Sequence, residues 1–286
     1  MSFTTQPVLI GTNARLFASN WRPALEEVAF AGESGFAAMQ FHGQPDGLGA
    51  EQLGAPVAAI GTALRDAGIA PVMEILMFLD GAGRHESGRM PLEIFQANLP
   101  AIAALGCVHV HWHMAIRQAV PQANVDSLEL SLVAQLREAV ELAADHGFRL
   151  AFEHNELAVR PLNTPERAAA LLAAVPGLGL VWDLNHASPE QVEGYAALAS
   201  RITMLHVADT PLPEINHHLP LGMGTIDFPR YLRPLLAAGF AGPAILEIGG
   251  LPKSGGYGRD TDAALVDSQL RLAAALLLAG DTKAEL

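Results

Sequence analysis

The feature that most constrains the fold of this chain is an eightfold alternation of short apolar runs with longer Ala- and Leu-rich stretches. Short runs bounded by Gly, Pro or polar residues are typical of β-strands, and apolar residues at helical spacing are typical of helices. The predicted strands are Val8–Gly11, Ala37–Phe41, Pro71–Met77, Val108–Trp112, Arg149–Phe152, Gly179–Trp182, Ile202–Val207 and Pro243–Ile248. The predicted helices are Arg22–Gly32, Ala50–Ala67, Leu92–Leu105, Ser127–His146, Thr164–Val175, Pro189–Ala199, Phe228–Ala238 and Thr261–Ala279.

Eight βα units without a linker or a shift in composition predict a single (β/α)8 TIM barrel domain over residues 1–286. An open, doubly wound parallel sheet is the alternative. Polar side chains follow nearly every strand from the second onward. A closed barrel brings the carboxyl ends of all its strands to one mouth, whereas an open sheet spreads them along an edge. The barrel is therefore the predicted fold.

Four consecutive strands end in a side chain that can bind a metal. These side chains are Glu153, Asp183, His206 and Glu247. Each alone has a structural explanation, since an Asp after a strand often caps the next helix and a Glu often pairs with a base. Together they place acids in one cleft, where they repel each other unless a cation neutralises them. Three oxygen donors and one nitrogen donor predict one divalent ion, either Mn²⁺, Mg²⁺, Co²⁺ or Zn²⁺.

The motifs around these residues resemble the xylose isomerase-like TIM barrel superfamily. The motifs are Glu153-His154-Asn155, Asp183-Leu184-Asn185-His186, His206-Val207-Ala208-Asp209, Gly222-Met223-Gly224-Thr225-Ile226-Asp227 and Leu246-Glu247. The superfamily includes sugar phosphate isomerases and epimerases, hydroxypyruvate isomerases, dehydratases of inosose and dehydroshikimate, and endonuclease IV. The resemblance covers the last half of the chain closely and the first half only through the βα alternation.

The resemblance implies roles for these residues. The metal ligands would be Glu153, Asp183, His206 and Glu247, as above. In the isomerases and epimerases of the superfamily, ligand glutamates move a proton next to a metal-bound carbonyl, so Glu153 and Glu247 would also be the catalytic acid and base. His186 would face the substrate or a second metal.

Two departures from the superfamily pattern bear on the substrate. Ketose 3-epimerases usually carry an arginine shortly after the metal-binding histidine, but no Lys or Arg occurs between His206 and Arg230. The turn that often reads Gly-Glu-Gly or Gly-Asp-Gly has Met223 at its centre. The first difference argues against a close ketose 3-epimerase, and the second removes an acidic contact that relatives make.

The chain carries more histidines than one metal ion needs. His111 and His113 alternate along the fourth strand, and alternate strand residues face the same side. His42 ends the second strand, and His218 precedes the Gly-x-Gly turn. We predict that these four histidines bind the substrate or each other. In endonuclease IV-type relatives, histidines at comparable places hold extra zinc ions, although Asn216 stands here where an aspartate is expected.

Three other side chains have both a functional and a structural interpretation, and a fourth has only a structural one. Glu74 on the third strand is either a substrate contact or a buried partner of a base. Trp112 and Trp182 either form an apolar wall against a sugar or pack in the core. Cys107 is the single cysteine, which excludes an internal disulfide, and its apolar neighbours predict a buried side chain.

Charge and composition narrow the function classes. The formal net charge of −13 argues against a nucleic-acid surface, which needs clustered Lys and Arg. We find no signal-peptide pattern and no apolar run as long as a membrane span, so we expect a cytoplasmic protein without a membrane partner.

The last helix and two long segments have predicted roles outside the metal site. The apolar stretch Ala263–Ala279 either closes the outer ring of helices or forms a contact in a homo-oligomer. The segments Phe78–Pro91 and Asp209–Ile226 are predicted lids, since both follow strands and exceed ordinary loop lengths.

The sequence thus predicts a metal-dependent isomerase or epimerase of a small sugar or hydroxy-carbonyl compound. A dehydratase, which removes the same proton and then expels a hydroxyl group, is the nearest alternative. A zinc phosphodiesterase and a non-catalytic sugar-binding barrel are the other two.

Overall fold

Eight parallel strands form a closed barrel in chain order, with the last strand pairing with the first. The computed structural model describes residues 8–17, 20–116, 119–249 and 259–281. The strands are β1 (Leu9–Asn13), β2 (Ala38–His42), β3 (Ala70–Leu79), β4 (His109–Ile116), β5 (Arg149–Glu153), β6 (Gly179–Asp183), β7 (Ile202–Val207) and β8 (Pro243–Leu246). The predicted TIM barrel is confirmed, and every predicted strand is present. Ile202–Val207 has the predicted ends, and each of the other strands is shifted by a few residues at one end or both.

The helices surround the barrel. They are α1 (Ala24–Glu33), α2 (Ala50–Leu53), α3 (Val57–Ala67), α4 (Pro91–Leu105), α5 (Gln122–His146), α6 (Pro165–Ala174), α7 (Val192–Ala196), α8 (Phe228–Ala237) and α9 (Asp262–Gly280), with a 3₁₀ turn at Ala199–Arg201. Three predicted helices were wrong in extent. Ser127–His146 begins earlier, at Gln122, directly after Pro121. Ala50–Ala67 is divided because Gly54 adopts a left-handed φ of 71° and is followed within two residues by Pro56, which cannot donate a backbone hydrogen bond. Pro189–Ala199 contains only α7 and the start of the 3₁₀ turn.

The barrel interior is filled by two layers of inward-facing side chains. The lower layer is apolar and fully buried, and consists of Ala38, Val72, Ala151, Val181, Met204 and Ile245. Two residues further along the same strands, or just past their ends, stand Gln40, Glu74, Glu153, Asp183, His206 and Glu247. Because strand side chains alternate between the two faces, each polar group stands above an apolar one. The fold therefore gathers these polar groups at the carboxyl-terminal mouth.

Both strand tryptophans belong to the core between the barrel and its helices. Trp112 and Trp182 are fully buried. Their rings lie 5.7 Å from Phe95 and 6.0 Å from Tyr231, respectively, measured between centroids. The apolar wall against a sugar is therefore wrong, and the packing alternative is correct. Cys107 is buried as predicted, at 7% exposure.

One helix within the described ranges, α9, is long and apolar enough to cross a membrane by length and composition alone. This corrects the expectation that no segment reaches that length. The criterion is weak, because core helices of soluble proteins also meet it. Here Leu265, Leu272 and Ala279 of α9 are buried in the main hydrophobic core.

Candidate metal centre

The four predicted metal ligands converge at the mouth of the barrel. Glu153, Asp183, His206 and Glu247 each offer one ligand atom, and these atoms all lie within 4.8 Å of one another. The first three are at most 1% exposed, whereas 17% of the Glu247 side chain is exposed. Three ligands therefore lie inside the barrel, and the fourth borders the open mouth.

The ligand atoms lie close together, but several of them have no hydrogen-bond partner. His206 Nδ1 lies 3.2 Å from Glu153 Oε2 and 3.3 Å from Glu247 Oε2, yet it makes no hydrogen bond. Both carboxylate oxygens of Glu153, and Asp183 Oδ2, are likewise buried without a hydrogen-bond partner. Buried polar atoms normally have partners, and neighbouring buried carboxylates need a compensating cation. These residues therefore fit a divalent metal ion.

Without a cation, the pKa values of Glu247 and Asp183 are raised and that of Glu153 is lowered. Burial, with a further contribution from neighbouring carboxylates, raises the pKa of Glu247 to about 8 against the attraction of His206. Burial and the charge of Glu153 raise the pKa of Asp183. Burial acts in the same direction on Glu153, but His113 and His206 outweigh it and hold its pKa well below the ordinary value. The metal-free centre thus carries an electrostatic cost that a cation would relieve.

Glu74 is enclosed by hydrogen-bonding and ionic partners. Its Oε1 lies 3.0 Å from His113 Nδ1, and its Oε2 lies 3.3 Å from His42 Nδ1 and accepts a hydrogen bond of 3.2 Å from Gln40 Nε2. Glu74 is only 3% exposed. Of its two interpretations, the geometry favours a buried partner. His42 and His113 are the more open members, with side-chain exposures of 13% and 16%, and stay predicted substrate contacts.

His111 lies beneath the centre. It is fully buried, with Nε2 3.4 Å from Glu153 Oε2 and its ring centroid 5.0 Å from that of His206. Strand alternation correctly places His111 and His113 on one face, but only His113 reaches the open mouth. The expectation that His111 contacts the substrate directly does not agree with its burial, because the metal ligands lie above it.

His186 and His218 form another group of donor atoms with Asp183, which also belongs to the main ligand set. His186 Nε2 lies 3.2 Å from Asp183 Oδ2, and the two histidine rings are 5.9 Å apart. His218 comes from the long segment after β7, and its Nδ1 donates to the carbonyl oxygen of Glu247 at 2.8 Å. A substrate contact and a second metal site therefore both remain compatible with His186.

The sequence profile of the xylose isomerase-like TIM barrel family matches residues 28–269. The chain belongs to this family. Similar solved structures include L-ribulose 3-epimerase, with 18% identity, a TM-score of 0.77 and 95% coverage of both chains. A 3-keto-D-glucoside 4-epimerase from E. coli has 18% identity and a TM-score of 0.72 over 93% of this chain and 99% of that one.

The IolI protein with a bound zinc atom has 18% identity and a TM-score of 0.73 over 94% of this chain and 98% of its own. Likeness at this level of identity shows the fold alone. A search of curated protein sequences finds no match to this chain.

Two residues that sequence reasoning did not select shape this family member's site. The first is Gln40, whose Oε1 lies 2.8 Å from His206 Nε2. The same strand alternation that groups the β4 histidines places Gln40 on the inward face with His42. It was missed because glutamine is not a typical metal ligand.

The second missed residue is Asp209, which holds the Gly-x-Gly turn. Its buried carboxylate accepts hydrogen bonds from the backbone N–H groups of Thr210 (2.9 Å), Gly222 (2.8 Å) and Ile226 (3.2 Å). A Cβ atom on Gly224 would collide with this carboxylate and with the Thr210 backbone. Asp209 therefore fixes the segment that carries His218 to the mouth.

Replacing Asp209 should destabilise the protein measurably. Asp209→Ala leaves three buried or partly buried N–H groups without their acceptor, so we expect the free energy of unfolding to fall by about 3 kcal/mol. Asp227→Ala is the matched control, because Asp227 is exposed and caps only Arg230 N of α8, which is worth about 1 kcal/mol. Equal losses in denaturant titrations of the two variants would contradict this role.

Proposed function

We propose that this chain is a divalent-metal-dependent isomerase or epimerase of a small polyhydroxylated carbonyl compound. The proposal depends on the buried, mutually unsatisfied ligand atoms of Glu153, Asp183, His206 and Glu247. Family membership supports it, as do two structural neighbours named as sugar epimerases and a third that holds zinc. The ion would be Mn²⁺, Mg²⁺, Co²⁺ or Zn²⁺, given three oxygen donors and one nitrogen donor.

The residues of the chain can move a proton next to a carbonyl group. Glu153 from β5 and Glu247 from the end of β8 approach the shared space from different strands, with His206 between them. A bound divalent ion supplies a Lewis acid that stabilises negative charge on a carbonyl oxygen. One glutamate would take a proton from the carbon next to the carbonyl, and the other, already protonated, would donate its own proton to that carbon or to the former carbonyl carbon. His42 and His113 are partly exposed, and they would bind substrate hydroxyl groups together with the more buried His186.

Product analysis tests the reaction class. The protein, loaded with each of the four metals in turn, is incubated in D₂O with a panel of ketoses, sugar phosphates and inososes. An isomeric product of the same elemental composition, carrying deuterium beside the carbonyl in NMR spectra, is the expected result. A product that has lost one water molecule would support the dehydratase and reject the isomerase.

A zinc phosphodiesterase is the second candidate, because Asp183, His186 and His218 form a second group of donor atoms within 4.8 Å. The net charge of −13 opposes binding to a phosphate backbone. Metal analysis separates the two proposals. We expect one ion per chain and no cleavage of DNA containing abasic sites, whereas two or three ions with cleavage would favour the phosphodiesterase. The proposed partners are accordingly small molecules, in a cytoplasmic location.

A further inference from the structure

The proposed metal ligand His206 has a buried neighbour, Gln40, that takes no part in the proton transfer proposed above. His206 Nε2 lies 2.8 Å from Gln40 Oε1, and Gln40 Nε2 donates to Glu74 Oε2 at 3.2 Å. Gln40 and His206 are fully buried, and Glu74 is 3% exposed. The three side chains therefore form a chain of hydrogen bonds that is shielded from water.

The chemistry of the end groups fixes the direction of this chain. Glu74 faces nitrogen donors at both oxygens, with His113 Nδ1 3.0 Å from one and His42 Nδ1 3.3 Å from the other. An ionised carboxylate only accepts hydrogen bonds. The amide NH₂ group of Gln40 must therefore face Glu74, which turns the amide oxygen toward His206.

An amide oxygen also only accepts, so His206 must carry a hydrogen on Nε2. This matters because the other ring nitrogen, Nδ1, faces the carboxylates of Glu153 and Glu247. Those carboxylates attract a hydrogen on Nδ1, where it would block a metal ion. An acceptor on the opposite side of the ring favours the tautomer in which Nδ1 has a free lone pair.

We propose that Gln40 and Glu74 are positioning residues that set the tautomer and ring orientation of His206, so that Nδ1 is presented to the divalent ion. This inference rests on the metal-dependent function proposed above. A histidine ligand in a metal site generally donates its second ring hydrogen to a fixed acceptor, and loss of that acceptor weakens metal binding about 10- to 100-fold. Glu74 then acts by orienting Gln40, not by touching the substrate.

The test is metal affinity, measured by calorimetric titration of the metal-free full chain with Zn²⁺. Gln40→Met keeps the side-chain length and removes both hydrogen bonds, so we expect the dissociation constant to rise about 10- to 100-fold. Gln135→Met is the matched control, because Gln135 Oε1 on α5 accepts a hydrogen bond of 3.2 Å from Leu92 N on α4. Its dissociation constant should equal that of the wild type.

An exchange of the two polar groups separates tautomer control from simple packing. Gln40→Glu combined with Glu74→Gln still gives His206 an acceptor that is oriented by an amide, and should restore most of the affinity. Glu74→Gln alone should give an intermediate affinity, since an amide can present either end to Gln40. In ¹⁵N-histidine NMR spectra of the zinc-loaded protein, the His206 Nε2–H signal should persist in the wild type and the exchanged pair and broaden in Gln40→Met.

The possible failures are distinguishable. A wild-type chain that binds none of Zn²⁺, Mn²⁺, Co²⁺ and Mg²⁺ would overturn the proposed function and this inference with it. A wild-type chain that binds Zn²⁺ with no change in Gln40→Met and Glu74→Gln would overturn the inference alone. Circular dichroism in chelator reports whether each variant folds, and if Gln40→Met does not, Glu74→Gln and the exchanged pair decide the question.

Discussion

Glu153→Gln should lower kcat/KM by at least about a thousandfold, since loss of a proton-transfer group alone costs between about a hundred- and ten-thousandfold. Glu153 is also deeply buried, with His206, His111 and His113 within 3.4 Å of one oxygen. Its neutral amide would leave those imidazoles without their negative partner. We therefore expect metal content measured by elemental analysis to fall together with the rate of deuterium exchange into the substrate.

Glu247→Gln should separate the loss of proton transfer from the loss of metal binding. Glu247 is the ligand beside the open mouth, with a side chain that is 17% exposed, so its loss should weaken metal binding less while still removing a proton-transfer group. Glu166→Gln is the matched control, because Glu166 is exposed in the first turn of α6. Full metal content and undiminished turnover in Glu153→Gln would disprove the assigned centre.

The candidate centre was largely predictable because two simple periodicities act together. Alternation along a strand places Glu153 above Ala151 and His206 above Met204, and parallel closure brings all the carboxyl ends to one mouth. Neither step requires knowledge of side-chain contacts. Residue type then completes the inference, since acids and a histidine sharing one cleft are typical of a divalent metal site.

The same periodicity gives neither the depth of a side chain nor the register between strands. His111 and His113 occupy one face, but strand stagger buries the first and opens the second to the mouth. Trp112 alternates with them and therefore points outward to Phe95, a consequence that the sequence contained and that the predicted sugar wall overlooked. The partners of Glu74 lie on β2 and β4, so its role depends on register between strands, which single-strand patterns do not specify.

Removing the metal should lower the free energy of unfolding and the Tm of the protein. At free metal about a thousandfold above its Kd, binding adds about 4 kcal/mol to the free energy of unfolding. For a chain of this size, that corresponds to a Tm about 8 °C higher than in chelator. Scanning calorimetry with and without chelator measures the difference, and identical curves would count against any metal site.

In Asp183→Asn, the order of variant and wild type should differ between the two buffers. Burial and Glu153 raise the pKa of Asp183, so the metal-free protein favours a neutral group at this position. The amide retains an oxygen to accept the 2.7 Å hydrogen bond from Asn185 N and loses only the charge. We therefore expect Asp183→Asn to melt at or above the wild type in chelator, and below it with metal.

Asp227→Asn is the control for this reversal, because an exposed helix cap should shift both melting curves equally. The competing explanation of Asp183 is structural: its carboxylate would serve chiefly to hold the turn after β6 through Asn185 N. On that explanation Asp183→Asn, which keeps the acceptor oxygen, would differ from the wild type by the same small margin in both buffers. A crossing of the two curves requires that the charge is harmful when the site is empty and useful when it is filled, which is the behaviour of a metal ligand.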